Sequence, residues 1–331
     1  MNTHPNRLVV GVGSPIVDSI AHVDASFLAS VAGAKGGMTL VSSAELAALV
    51  QRVPGELRQS PGGSAGNTCF ALARLGHPTT FVGKLGNDEA ADFYAETFAA
   101  NGGETRRFKR GDIPNGRCLS LVTPDGQRTL RTDLGAAMTL SPGEISAEDF
   151  AGCSHAHIEG YLLFNDRLLF RVLDAAKTAG CTVSLDLASF EVVEAAKGFL
   201  PSLLKDSVDV VFANEEEAAA YVGDPAAEPR MIARELAQLC QTAAVKVGAQ
   251  GAWIASGGEC VHAPAQSVKQ VVDTTGAGDF WAAGFLYAWM RQCRLEECGF
   301  FGALLGAAVV QVDGTTLEDD TWERLQQRIV M

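Results

Sequence analysis

Residues 273–285 bring together two aspartates, a glycine-rich turn and the start of an apolar helical pattern. Gly276, Ala277 and Gly278 carry small side chains or none, so an anion can approach their backbone amides closely. The first amides of a helix have no partner within the helix, and the helix macrodipole adds partial positive charge there. The turn therefore predicts an anion site of the kind that stabilises a phosphoryl group during transfer.

Asp279 lies at the end of this turn. A carboxylate beside an anion site is well placed to remove the proton of a substrate hydroxyl, as a general base does in phosphoryl transfer. An aspartate in the first turn of a helix also has a common structural role, because it interacts favourably with the helix N-terminus. The surrounding glycines and the motifs upstream favour the catalytic interpretation.

A second glycine-rich segment, residues 61–67, precedes a predicted helix. Gly62 and Gly63 would let a substrate pack against bare backbone, and the Asn67 amide offers a donor and an acceptor to a polyol. The alternative is an ordinary glycine turn in which Ser64 caps the helix.

The first predicted strand, residues 8–13, is apolar and ends in glycine. Ile16 stands where a dinucleotide-binding fingerprint would have its third glycine, which argues against a Rossmann oxidoreductase. Asp18 follows the strand, at an edge where open α/β sheets place ligand-binding residues, and could hold substrate hydroxyls. A solvated turn aspartate is the alternative.

Two further polar motifs follow predicted buried strands. Asn214 and Glu217 would share one helical face and could hold hydrated Mg²⁺, although Asn-x-x-Glu at a helix start is also a capping-box pattern. Lys246, Gly248 and Gly251 form a glycine turn that could border a nucleotide or simply close a hairpin. This turn is not a Walker A motif, because the Lys-Ser/Thr pair is missing.

These motifs must be positioned by an α/β scaffold. Strands are predicted near residues 155–159, 181–186, 208–213 and 243–247. Helices are predicted near 166–179 and 189–205, and over 214–240 with a break. This alternation is typical of a doubly wound, mostly parallel sheet. Residues 17–41 and 104–131 break the alternation and are predicted to form a small separate sheet. The predicted division is a nucleotide-binding catalytic core, residues 1–16, 42–103 and 132–331, and a β lid over the acceptor site, residues 17–41 and 104–131.

The composition limits the classes of partner. The chain has 331 residues, 47% of them hydrophobic, and a formal net charge of −13, which argues against nucleic acids and anionic membranes as partners. Residues 1–7 contain no apolar signal-peptide core, and the longest apolar run, residues 298–312, is too short to span a membrane. The eight cysteines form no Cys-x-x-Cys pair, as expected for free thiols in a reducing cytoplasm.

Taken together, the motifs resemble the PfkB (ribokinase-like) family of carbohydrate and nucleoside kinases over about residues 8–312. The matching motifs are Gly62-Gly63 with Asn67, Asn214-x-x-Glu217, and residues 273–279. Residues 24–60 and 128–137 look most like the adenosine-kinase-like branch.

The resemblance implies a three-layer α/β core with a small β-sheet lid, ATP as phosphoryl donor, Mg²⁺, and in many members a monovalent cation such as K⁺. Asp279 would be the base and Gly276, Ala277 and Gly278 the anion hole. The acceptor contacts would be Asp18, Gly62, Gly63 and Asn67. The nucleotide would lie near Asn214, Lys246, Gly248 and Gly251. The metal sites would be Glu217 for Mg²⁺ through water, and Asp273, Thr275 and the backbone of residues 310–314 for the monovalent cation. Many relatives have threonine where Lys246 stands.

The implied activity is ATP-dependent transfer of the γ-phosphoryl group to a hydroxyl of a small sugar or nucleoside. A sugar-acid kinase and a non-catalytic ligand sensor on the same fold are the alternatives. Residues 159–163 lack the adjacent aromatic pair of the family's nucleoside kinases, which argues against adenosine as acceptor. A cytoplasmic monomer or homodimer is expected.

Overall fold

The computed structural model describes residues 8–125 and 127–329. The first seven residues of the predicted core, and Gly126 in the predicted lid, lie outside the described residues. No helix in the described part of the chain is long and apolar enough to cross a membrane.

The strands, in chain order, are β1 (Leu8–Val12), β2 (Val17–His22), β3 (Met38–Leu40), β4 (Arg58–Pro61), β5 (Thr79–Val82), β6 (Lys84–Leu85), β7 (Gly103–Glu104), β8 (Lys109–Arg110), β9 (Arg117–Val122), β10 (Arg128–Asp133), β11 (Cys153–Glu159), β12 (Thr182–Asp186), β13 (Val210–Asn214), β14 (Thr242–Lys246), β15 (Ala252–Ser256) and β16 (Glu259–Ala263).

The α-helices are α1 (Ala25–Ala29), α2 (Ser43–Arg52), α3 (Ser64–Arg74), α4 (Glu89–Ala100), α5 (Asp166–Thr178), α6 (Phe190–Ala196), α7 (Leu200–Ser207), α8 (Glu215–Val222), α9 (Pro229–Leu236), α10 (Ala277–Trp289), α11 (Leu295–Val309) and α12 (Asp319–Ile329). Short 3₁₀ helices include Gly160–Phe164 and Gly248–Gln250.

The larger sheet has nine described strands in the order β16-β15-β14-β13-β12-β11-β1-β5-β7. All neighbours from β14 to β7 are parallel, and β15 and β16 add an antiparallel hairpin at one edge. The strand order runs outward in both directions from the pair β1 and β11, so the topological switch point lies between them. The predicted doubly wound sheet is confirmed.

Helices cover both faces of this sheet. Side chains of successive residues in a strand point to opposite faces, so Val10 packs with helices α5 to α9 and Val9 packs with α3, α10, α11 and α12. The strands are nearly continuous runs of buried apolar residues because both faces are covered. The result is the predicted three-layer arrangement.

The second sheet has five described strands in the order β3-β10-β9-β2-β4. Leu119 and Leu121 of β9 pack beneath helices α1 and α2, whereas Cys118, one position earlier, faces a large cavity. This alternation gives the sheet one helix-covered face and one face towards the cavity.

The boundaries of the small sheet differ from the prediction. β4 belongs to the small sheet, whereas the sequence places residues 58–61 in the predicted core. The reason for the difference is that the polar sequence of these residues shows no strand pattern. β7 joins the large sheet, although it crosses the predicted boundary at residue 104, and β8, which lies within the predicted lid, pairs with β6. Asp18 lies inside β2 of the small sheet, within the predicted lid segment 17–41, and not in a solvated turn.

The single helix predicted over residues 189–205 is two helices, α6 and α7. The chain between them contains Lys197 and Gly198, and Pro201 lies at the start of α7. Proline fits the first turn of a new helix better than a helix interior, because it has no amide hydrogen to donate.

Candidate active site

A cavity of about 1370 Å³ lies between the carboxyl ends of the parallel strands and the small sheet. Each of four neighbouring strands ends in a polar residue that lines it: Glu159, Asp186, Asn214 and Lys246. Open α/β sheets bind ligands at this edge, outside the topological switch point. The sheet order therefore brings together side chains that are far apart in the sequence.

The predicted anion turn lies at the N-terminus of α10 and lines this cavity. Gly276 has φ +68°, a left-handed conformation that favours glycine, and a Cβ there would lie 2.6 Å from Thr315. Three backbone amides, those of residues 276–278, are predicted to face an anion. One of them, the Ala277 amide, donates to the Thr274 carbonyl oxygen over 3.2 Å and helps to shape the turn. A Cβ on Gly278 would lie 3.0 Å from the Lys246 ammonium, so the bare turn faces a cation.

Asp279 is held in the first turn of α10 by two side chains from α3. Ser64 Oγ donates to Oδ1 over 2.8 Å, and Asn67 Nδ2 donates to Oδ2 over 2.8 Å. Burial raises the pKa of Asp279 to about 6, while these hydrogen bonds and Lys246 oppose the rise. A carboxylate with a pKa just below neutral, fixed by two donors, suits a general base.

Ser64 does not cap α3. Gly63, with φ +86°, is the residue at the N-cap position, which leaves the Ser64 hydroxyl free to orient Asp279. The sequence suggested only the capping role for Ser64, since its partner lies in a distant part of the chain.

Asp18, from β2 of the small sheet, and Asn67, from α3, both line the cavity. Burial raises the pKa of Asp18 to about 7, against the lowering influence of Arg128. Asn67 Oδ1 is buried and has no hydrogen-bond partner among the described residues, so it remains free to accept from a ligand. Gly63 also lines the cavity, whereas Gly62 lies behind it, where a Cβ would come within 2.5 Å of Asp18 Oδ2.

Glu159, at the end of β11, was not among the predicted site residues. Its Oε1 accepts from the Ser14 amide over 2.9 Å, and its buried Oε2 has no partner in the described chain. Burial raises the pKa of Glu159 to about 7. The available signal was a charged residue at the end of an apolar strand next to the switch point.

Lys246, Asp186 and Glu217 form a charged group at the ends of β12, β13 and β14. Lys246 Nζ lies 2.9 Å from Asp186 Oδ2, and both side chains are largely buried. Burial alone would lower the pKa of Lys246, but the charges of Asp186 and Glu217 hold it above its usual value. Asp186 was also absent from the sequence prediction.

Asn214 and Glu217 form the capping box that the sequence allowed. Asn214 Oδ1 accepts from the Glu217 amide over 2.8 Å, and Glu217 Oε2 accepts from the Asn214 amide over 2.8 Å. Both residues nevertheless line the cavity, and burial raises the pKa of Glu217 to about 7. The capping-box hydrogen bonds therefore leave both Asn214 and Glu217 at the surface of the cavity. Gly248 and Gly251 line the same end of the cavity.

Comparison with known proteins identifies the family. The model of the pfkB family carbohydrate kinases matches residues 39–322. The chain belongs to this family. A probable sugar kinase from Rhizobium etli CFN 42 has 31% identity and a TM-score of 0.89, with 98% of each chain covered.

Two further relatives carry more specific names. An adenosine kinase from Sinorhizobium meliloti has 31% identity and a TM-score of 0.88, covering 98% of this chain and 99% of that one. A ribokinase from Arabidopsis thaliana is 31% identical over 265 residues, which cover 76% of this chain and 68% of the relative. The predicted resemblance to PfkB kinases is confirmed, and with it sugar or nucleoside kinase activity.

PfkB kinases use ATP and usually Mg²⁺, and the donor set around Lys246 in the cavity fits Mg²⁺. Asp186, Glu217 and Asp279 supply hard oxygen atoms around a single ammonium group, that of Lys246. Among the described residues, no cluster of three or more His, Cys, Asp or Glu side chains is close enough to bind a metal ion directly. Coordination through water and ATP phosphates, which Mg²⁺ favours, is consistent with that spacing.

The predicted monovalent cation site does not fit a cation. Asp273 Oδ1 lies 2.9 Å from both the Thr275 amide and Arg128 Nε, and Oδ2 accepts from the Thr275 hydroxyl and the Gly314 amide. A carboxylate has about four lone-pair positions, and all four face a donor here. Arg128 places a permanent positive charge where K⁺ was expected.

Proposed function

We propose that this PfkB kinase transfers the γ-phosphoryl group of ATP to a hydroxyl of a nucleoside. The observation that carries the kinase chemistry is Asp279, oriented by Ser64 and Asn67 at the glycine turn that begins α10. The observation that favours a nucleoside over a simple sugar is the mixed lining of the cavity, which combines polar side chains such as Asp18 and Asn67 with exposed apolar and aromatic side chains.

The apolar part of the cavity includes two aromatic residues. Tyr161 and Phe164 lie three positions apart in the 3₁₀ helix Gly160–Phe164, and residues at this spacing in a 3₁₀ helix lie on one side of it. Both are substantially exposed, as are Met38 and Leu40 of β3 across the cavity. The sequence lacked an adjacent aromatic pair, but the helix brings a spaced pair to the cavity, where it could stack on a planar base.

The sugar part of the acceptor would bind at the polar end. Asp18 and Asn67 Oδ1 would accept hydrogen bonds from its hydroxyl groups, and Gly63 would let the ring approach the backbone. The adenosine kinase from Sinorhizobium meliloti, 31% identical over nearly the whole chain, supports a nucleoside of this kind.

In the proposed reaction Asp279 takes the proton of the acceptor hydroxyl as the oxygen attacks the γ-phosphorus. The bond between the γ-phosphorus and the bridging oxygen breaks, and ADP leaves. The backbone amides of the glycine turn and the Lys246 ammonium stabilise the charge on the transferring group, and such fixed charges provide most of the catalysis in phosphoryl transfer. Bound Mg²⁺ would neutralise charge on the ATP phosphates, held through water by Glu217 and Asp186.

The acceptor can be tested by measuring ADP release from ATP and Mg²⁺ with purine and pyrimidine nucleosides, ribose, fructose and a 2-keto-3-deoxy sugar acid. We expect kcat/KM to be highest for a nucleoside. A higher kcat/KM for ribose, fructose or the sugar acid would contradict the nucleoside assignment. Ligand-induced stabilisation without any ADP release would support the sensor alternative.

Changing Glu217 to glutamine should raise the Mg²⁺ concentration needed for half-maximal rate, because the buried carboxylate loses its charge near the phosphates. The same change weakens the capping box of α8 and should lower the melting temperature slightly. Glu297→Gln is the matched control, since Glu297 Oε2 accepts from the N-cap amide of Arg294 at the start of α11, away from the cavity. An unchanged Mg²⁺ titration for Glu217→Gln would leave only the capping role.

We further propose that the small sheet, with its cavity-facing residues, acts as the lid. Binding of a nucleoside with a non-hydrolysable ATP analogue should slow hydrogen exchange in β3 and β10, because closure covers the exposed Met38 and Leu40. Helix α12, which packs with α3, α10 and α11 and does not line the cavity, serves as the internal control. Equal exchange of β3 with and without ligands would show that the sheet is a fixed wall.

We place the enzyme in the cytoplasm, as a monomer or homodimer. Six of the eight cysteines are buried free thiols, which is consistent with a reducing compartment.

A further inference from the structure

The ion pair between Arg128 and Asp273 links the small sheet to the loop that precedes the anion turn. Arg128 begins β10, and Asp273 lies three residues before Gly276. The two side chains differ in exposure: Asp273 is 1% exposed and Arg128 is 21% exposed. The anionic partner is thus fully buried, and the cationic partner reaches it from the cavity wall.

Asp273 also organises two backbone segments. It accepts from the amide of Thr275, in the loop leading to the anion turn, and from the amide of Gly314, in the loop after α11. Gly314 has φ +70°, so its amide is presented by a conformation that favours glycine. The charge that balances Asp273 therefore contributes to the position of both loops around the anion turn.

We infer that Arg128 is a built-in cation that takes the place of a monovalent metal ion at Asp273, so that catalysis by this kinase does not depend on K⁺. The inference rests on the proposed kinase function only for its catalytic consequence. Its structural part, occupation of the site by a guanidinium group, stands on the four donors around Asp273. A metal ion at this carboxylate would have to displace one of these donors and lie next to a like charge.

Arg128 also faces a second carboxylate. Its charge lowers the pKa of Asp18, which burial and the neighbouring Asp279 and Asp273 raise. Asp18 belongs to the small sheet and lines the acceptor end of the cavity. A single guanidinium group therefore serves the anion-turn loop and the acceptor end together, which a diffusible ion bound only at Asp273 would not do.

The test compares thermal unfolding and kcat in the chlorides of K⁺, Na⁺ and choline at equal ionic strength. For the unchanged protein we expect no potassium-specific shift in Tm and no potassium-specific change in kcat. For Arg128→Gln, which removes the charge, we expect K⁺ to raise Tm in a saturable way. We also expect K⁺ to raise kcat of the variant by about tenfold, a usual size for coupling between two ligands.

Arg117→Gln is the matched control, because Arg117 begins the neighbouring strand β9 and pairs with Asp88 outside the cavity. It should show no response to K⁺. Saturable potassium-specific stabilisation of the unchanged protein would overturn the inference, and so would an Arg128→Gln variant that ignores K⁺. Because Tm is measured without substrates, these outcomes are independent of whether the proposed acceptor is correct.

If Arg128→Gln does not fold, Arg128→Met provides a second variant, because methionine keeps most of the aliphatic length of the side chain. Titration of the unchanged protein with thallium(I), followed by thallium NMR, measures occupation of the site directly. We expect no saturable thallium(I) binding to the unchanged protein. Saturable binding that KCl displaces and NaCl does not would overturn the inference even if neither variant folds.

Discussion

Asp279→Asn should reduce kcat by about 10²–10⁴-fold while leaving the fold and ATP binding intact, because the loss of one positioned general base has an effect of this size. The asparagine side chain has nearly the same shape as that of aspartate. Asn67 can rotate its amide to present Oδ1, which has no partner in the described structure, to the new amide. The reduction should therefore appear in turnover and not in Tm.

The pH dependence of the rate provides a further measurement. Burial raises the pKa of Asp279 to about 6, and the base acts only when deprotonated, so kcat/KM of the unchanged enzyme should rise as pH increases through about 6. Asp279→Asn should lack this acidic limb.

Asp320→Asn is the control for removal of a first-turn aspartate, since Asp320 lies in the first turn of α12, outside the cavity. It should keep the turnover and the pH profile of the unchanged enzyme. Near-normal turnover of Asp279→Asn with the best acceptor would show that another group is the base.

The sequence predicted the scaffold well because its signals are local. Each buried strand of the large sheet is a short apolar run that ends at a polar residue or glycine, and the order of strands and helices alone indicates a doubly wound sheet. The same rule placed Asn214 and Lys246 at the cavity. Applied without exception, it would also have identified Glu159 and Asp186, which end β11 and β12.

The features that the sequence did not predict depend on contacts between distant segments. β4 is a polar tetrapeptide that becomes a strand only because β2 offers it hydrogen-bonding partners. Ser64 contacts Asp279, and Arg128 pairs with Asp273, only in the folded chain. No local sequence pattern indicates either pair, because the partners are far apart in the sequence. A sequence motif could indicate that Asp273 is part of a site. That its partner is Arg128 could be known only from the position of β10 in the fold.

Changing Lys246 to methionine should reduce kcat by about 10²–10³-fold, the usual result of removing one group that stabilises charge in a transition state. The ammonium group lies beside Gly278 of the anion turn and is held there by Asp186. Methionine keeps the length of the side chain but removes the charge.

The same variant should also be less stable, because it leaves the largely buried Asp186 and Glu217 without their cationic partner. Lys246→Met/Asp186→Asn relieves part of this imbalance and should recover Tm without recovering kcat. Lys177→Met is the control for loss of a lysine–aspartate pair, since Lys177 pairs with Asp209 at 2.8 Å on the exterior. If Lys246→Met lost stability but kept normal kcat at a temperature where it is folded, Lys246 would be a structural partner of Asp186 and not a phosphoryl ligand.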